Sequence, residues 1–199
     1  MAKKEDNGSW TATIVLFAIL GIMAVWAFIT PEHLMTTLQA ERAFAMDMGG
    51  TASDRWIYTN SLSASADFLK KTSTAIKESR ELPTMMKRWA QDRAIATWLW
   101  GTLITYRAYL LLLYFFALCP FVIAITMDGL GVREISTHRF SAQSAMKHRA
   151  GVLLSNLTLI CAILWLALPI PIPSVPAPLA IIAIGFAGWI WLSNLQKRI

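Results

Sequence analysis

Four long apolar stretches, residues 10–29, 94–126, 151–168 and 177–192, decide what this chain can fold into. A bilayer core about 30 Å thick needs roughly 20 apolar residues in helix. The first stretch meets that length, the second exceeds it, and the last two are slightly short but adequate. Hydrophobic residues make up 56% of the 199. A soluble domain of this size could not cover so much apolar surface. The runs are continuously apolar and lack the alternation of barrel strands. The sequence therefore predicts an all-α integral membrane protein. It has four transmembrane helices, with a helical periplasmic excursion between the first and second.

The spans are placed at 10–30, inside a long helix over 94–126, at 151–168 and at 177–195. Residues 1–9 and 196–199 are the termini, 31–93 the excursion, 127–150 a basic connection and 169–176 a proline-rich turn. With four spans, both termini and 127–150 share one side. That side carries Lys3, Lys4, Arg133, Arg139, Lys147, Arg149, Lys197 and Arg198, all in short segments. The turn at 169–176 carries no basic residue. The excursion has basic residues too, but it is long and nearly balanced by acids, and long loops weigh little in orienting a chain. Both termini are expected on the cytoplasmic side of a bacterial inner membrane. Lys3 and Lys4 would suit the start of a signal peptide. The apolar run that follows is too long for one and lacks an A-x-A site, so a retained span is expected.

Inside the excursion, Thr30-Pro31-Glu32 has the chemistry of a helix start: a hydroxyl cap, a proline in first position and an early acid. Gly49-Gly50 ends that helix. A second helix is expected from after Ser53 to about Arg80. Its apolar positions Trp56, Ile57, Leu62, Ala66, Phe68, Leu69 and Ile76 form no clean stripe. Pro83 then starts a third helix, which nothing breaks before Pro120.

Arg107 interrupts the second apolar run, and a membrane charge is a functional candidate by default. Counting back about 20 residues from Asp128 puts it at the outer interface, where its long side chain can snorkel to water. The sharper alternative is a deeper Arg107 paired with a partner's acid or a lipid phosphate. If it lies at the interface, residues 94–106 form an apolar surface outside the bilayer core. Helices of the excursion or another subunit must then cover it. Cys119 and Cys161, both inside apolar runs, read as small buried hydrophobes. Asn156 and Thr158 can bond across helices, and Ala183 with Ala187 permits close helix contact, within the chain in the simpler reading.

The connection begins Asp128-Gly129-Leu130 and continues through Arg133-Glu134-Ile135 and Arg139-Phe140 to Ser144 and His148. This string resembles the signature of a family of membrane proteins from conjugative plasmids and integrating conjugative elements. The family includes the TraJ-type transfer proteins and was long labelled a domain of unknown function. Where the family is more basic, this chain has Ser136-Thr137-His138. The resemblance covers the C-terminal half well and the excursion in outline. It implies a small inner-membrane partner of the type IV coupling protein, the hexameric ATPase that receives the relaxase–DNA substrate, in a hetero-oligomer. The same residues have a simpler reading. Asp128-Gly129 can turn the chain out of the membrane, and Arg133, Arg139, Lys147 and Arg149 can anchor it to anionic membrane lipids.

No P-loop, G-x-S-x-G or H-E-x-x-H sequence occurs. Ser61, Ser63 and Ser65 would scatter around a helix rather than align a nucleophile. His138 and His148 have no third metal ligand nearby. No cofactor, no metal and no catalysis are expected. Direct nucleic acid binding is not expected either, because the basic residues are split among short segments. The competing reading is a small transporter or channel subunit, which would need more polar groups in the spans than Arg107 alone. Reporter fusions test the topology. Fusions at Gly8, Gly131 and Ile199 should read cytoplasmic and one at Gly50 periplasmic. A periplasmic signal at Gly131 would overturn the four-span arrangement.

Overall fold

A proline after a capping threonine, a lone left-handed glycine and close-packed glycines set the geometry of the chain in its computed structural model. The structure describes residues 7–78, 83–138 and 144–195. The described residues form helices α1 (Asn7–Phe28), α2 (Pro31–Glu78), α3 (Thr84–His138), α4 (Ala145–Ala167) and α5 (Pro176–Ser193). Three of them, α3, α4 and α5, are long and apolar enough to cross a membrane. A fourth span is counted if the bent pair α1–α2 is taken as one. The chain turns through 99° between α1 and α2. There Thr30 Oγ1 accepts a hydrogen bond from the His33 amide (3.3 Å) and Pro31 opens the new helix.

α2 is two helical segments joined at Gly50, whose backbone lies at φ 81°, ψ 161°. Only glycine adopts that conformation without strain. A continuous helix would hold Arg42 and Tyr58 about 24 Å apart. Instead the Arg42 guanidinium stacks over the Tyr58 ring at 3.7 Å and pairs with Asp54 at 2.7 Å. The chain therefore folds back on itself at Gly50 as a helical hairpin. The second segment resumes directly after this glycine rather than after Ser53, and α2 ends at Glu78. Arg80 lies outside the described residues.

α3 is the spine. At 55 residues it is about 82 Å long, far more than a bilayer needs. Its first half buries Ala96, Leu99, Leu103, Tyr106 and Leu110, spaced alternately three and four residues apart. This coiled-coil-like seam receives Leu34, Leu38, Ala45 and Ile57 of α2, with Ile29 at the edge. The hairpin is thus the cover that residues 94–106 require. Each fully buried leucine here contributes about 1.5–3 kcal/mol.

The second half of α3 packs on α5, and α5 packs on α4, so α5 lies between the two. Glycines set the spacing. A Cβ on Gly129 would sit 3.1 Å from Trp189, one on Gly188 would sit 3.3 Å from Thr126, and one on Gly185 would meet Val122. A Cβ on Gly151 would lie 2.8 Å from the Trp191 amide nitrogen and 3.0 Å from the Ala187 carbonyl. Ala187 is therefore spent inside the chain. α3 does not leave the membrane at Asp128-Gly129 as a turn. It continues in helix through Pro120 and Gly129 to His138, and Gly129 is a packing glycine. Cys119 is half-buried and Cys161 exposed on α4, so the reading of both as buried hydrophobes is corrected for Cys161. Thr158 is buried but bonds to its own helix, at the Leu154 carbonyl (2.8 Å).

Because backbone on α5 blocks any side chain at position 151, Gly151→Val should push α4 off α5 at a cost of about 1–3 kcal/mol. Gly21→Val, with nothing within 4 Å, should not. Thermal unfolding of the two variants in one detergent makes the comparison.

Candidate functional site

Two junctions hold the ends of the helices, and the sequence-selected residues divide between them. The first is built on Arg107. This residue is fully buried, with 0% exposure. Its Nε donates to both oxygens of Glu41 (3.2 and 3.0 Å), and Nη2 closes the ion pair with Oε1. Nη1 also donates to the carbonyls of Trp165, Leu166 (3.3 Å) and Leu168 (2.6 Å), and Nη2 to that of Ile170 (2.8 Å). Glu41 in turn accepts from the Ile172 amide (3.3 Å).

The geometry has a plain electrostatic logic. The last carbonyls of a helix have no partner within it and carry partial negative charge. Arg107 supplies a cation and a planar fork of donors to the end of α4, while Glu41 balances the charge. Trp100 Nε1 adds a bond to the Ala167 carbonyl (2.9 Å). The same device recurs nearer the start of α3. Arg93 Nη1 donates to the Trp26 and Ala27 carbonyls at the end of α1 (2.8 and 2.9 Å). Trp26 Nε1 bonds Thr97 (2.9 Å). α3 thus receives the C-terminal ends of both α1 and α4.

These contacts correct the sequence reading of Arg107. It lies level with the turn between α4 and α5, and it does not snorkel to water. Its acid is neither a partner's nor a lipid's; it is Glu41 of the same chain. Sequence reasoning counted Glu41 only among the acids that balance the excursion's charge. The recoverable signal was its place on a three-four pattern with Leu34, Leu38 and Ala45. A neighbouring cluster adds Tyr106, whose hydroxyl donates to Asp54 (2.8 Å), and Ser65, whose Oγ lies 2.8 Å from Thr102 Oγ1.

The second junction is the signature segment, which spans the end of α3 and the start of α4. Asp128 accepts from Trp189 Nε1 (2.8 Å), and Gly129 packs on the same tryptophan. Ser144 caps α4 by accepting from the Lys147 amide (3.4 Å). The His148 ring sits 6.3 Å from that of Trp191. Asp128, Gly129 and His148 therefore dock the ends of α3 and α4 onto α5, while Ser144 caps α4 itself. Leu130 and Glu134 are exposed and Arg133 half-buried. Arg139 and Phe140 lie outside the described residues. Among the described residues no group of histidines, cysteines and acids is arranged to hold a metal.

The family model described as IncC plasmid conjugative DNA transfer protein DtrJ-like matches residues 35–196, and the chain belongs to this DtrJ-like family. No curated protein and no solved structure matches the chain. The matched region takes in both junctions and all of α3, α4 and α5.

A buried ion pair that loses one member leaves the other uncompensated, at a cost of about 3–5 kcal/mol. Arg107→Met and Glu41→Gln should each lower stability by that order, because each leaves the other charge buried without its partner. The double variant should cost less than the sum of the singles. Thermal unfolding of the purified chain in detergent reads all three.

Proposed function

We propose that this DtrJ-like protein is a non-catalytic inner-membrane subunit of a conjugative type IV secretion system. In this reading it binds the membrane region of the hexameric coupling ATPase and supports transfer of the relaxase–DNA substrate. The observation that carries it is the family match over 35–196, the match of a conjugative DNA transfer protein. The arrangement of the helices favours a partner over a pathway. Arg107, the one charge that would have served a transport route, is fully engaged with Glu41 and the end of α4. Meanwhile α1 touches the rest of the chain mainly through its C-terminal end, and its described apolar side chains are largely exposed.

In this reading both termini face the cytoplasm and the α2 hairpin lies on the periplasmic side. Among the described residues, Leu130 and Glu134, on the end of α3 as it leaves the membrane, are signature side chains available to a cytoplasmic contact. Membrane lipids cover the remaining apolar surface. Two measurements test the proposal. Deleting the gene should lower DNA transfer from donors and leave recipients unaffected. Pull-down of the tagged chain in mild detergent should recover the coupling ATPase. Recovery of the chain alone across several detergents, from cells making the ATPase normally, would overturn the partnership.

A further inference from the structure

α4 carries a polar side chain where a helix bathed only in lipid has no use for one. Asn156 is exposed, among the exposed side chains of Val152, Leu153, Leu157 and Ile160. Its amide makes no hydrogen bond within the described chain. In hydrocarbon neither water nor lipid tails can satisfy that amide, so such side chains bond across helices. Arg149 lies two turns toward the helix start, on the same side, and is likewise exposed without an ion pair among the described residues. The ring of His148, the residue before Arg149, lies 6.3 Å from that of Trp191. Arg149, Val152, Leu153 and Asn156 line one shallow groove of about 640 Å³.

We propose that this face of α4 docks a transmembrane helix of another protein. That helix carries an acidic side chain at the membrane boundary and a hydrogen-bonding side chain about two turns deeper. The spacing excludes a lipid as the full answer. Arg149 and Asn156 are seven residues apart in sequence, about 10.5 Å along the axis, and the arginine reaches back toward water. A phospholipid headgroup at Arg149 leaves the Asn156 amide among acyl chains. Charge excludes a second copy of the chain. Lys147 and Arg149 are exposed at the start of α4 with no acid in its first turn, and a copy paired through this same face would set like charges against like. An acid on the partner also complements the positive end of the helix dipole, which this basic sequence leaves uncompensated.

The inference rests on the coupling-ATPase reading for its first test and stands apart from it in the second. In the first, tagged full-length chain is co-expressed with the full-length coupling ATPase, and the ATPase recovered per chain is measured in mild detergent. Asn156→Leu should lower recovery about three- to tenfold, the range of one hydrogen bond between membrane helices. Asn156→Gln should retain most of it. Arg149→Glu should lower it as well. Phe116→Leu, on an exposed face of α3, should leave it unchanged. Normal recovery with both Asn156→Leu and Arg149→Glu overturns the docking face while the partnership stands. Failure of the wild-type chain to recover the ATPase overturns the partnership alone. The second test, in donor membranes holding the whole transfer system, then decides the docking face. A photoreactive side chain at Leu153, compared with one at Phe116, should join a transfer-system membrane protein whose spanning helix bears the boundary acid. Adducts at Leu153 only with lipid, or only with a second copy, overturn the proposal.

Discussion

Arg107 is the residue through which the α2 hairpin, the α3 spine and the α4–α5 turn are held to one another. It is wholly removed from solvent, and a charge so placed is tolerable only if every donor finds an acceptor. Glu41 and the carbonyls ending α4 provide those acceptors. The proline-rich turn is pinned in consequence, since Glu41 also receives the Ile172 amide and His33 Nε2 donates to the Pro169 carbonyl (3.1 Å). An apolar residue at 107 would pack but would leave the carbonyls that end α4 without their side-chain donors and Glu41 without its counter-charge.

α3 extends this role along its length. Helix ends are the weak points of an all-helical membrane protein, because each exposes unpaired backbone groups. Arg93, Trp100 and Arg107 meet the ends of two other helices with side-chain donors. At the far end, Asp128 and Gly129 tie the same helix to Trp189 of α5. Much of the segment from Asp128 to His148 is therefore used for packing. Leu130 and Glu134 are left outward, while Asp128, Gly129, Ser144 and His148 are used within the chain. Among the described residues of the segment, a partner of the kind proposed would have Leu130 and Glu134 to touch without dismantling it.

The same distinction separates the two exposed apolar helices. The described side chains that α1 presents to its surroundings are chiefly apolar, which lipid satisfies as well as any protein. α4 presents Arg149 and Asn156 in register along one side, a pattern that lipid satisfies only in part. Polar groups rather than apolar area give the membrane face its specificity, because apolar contact between helices gains little over apolar contact with lipid.

Some of this was written in the sequence itself. Apolar run length foretells membrane helices, since a bilayer sets a minimum that local composition must meet. Thr30-Pro31, Gly50 and Pro83 mark starts and stops by backbone sterics alone, and those marks hold. Tertiary structure decided what depends on distant neighbours. The second segment of α2 looked patternless because its buried seam, Asp54, Ile57, Ser61 and Ser65, is mostly polar, each polar group being matched across α3 or by its own backbone. Asp128-Gly129 looked like a turn because glycine after aspartate usually is one, yet Trp189 requires a residue without a side chain inside a helix. Arg107 was legible as a charge near a membrane boundary, but not as the partner of Glu41, because the fold-back at Gly50 and the burial of both residues arise only when α2 closes onto α3.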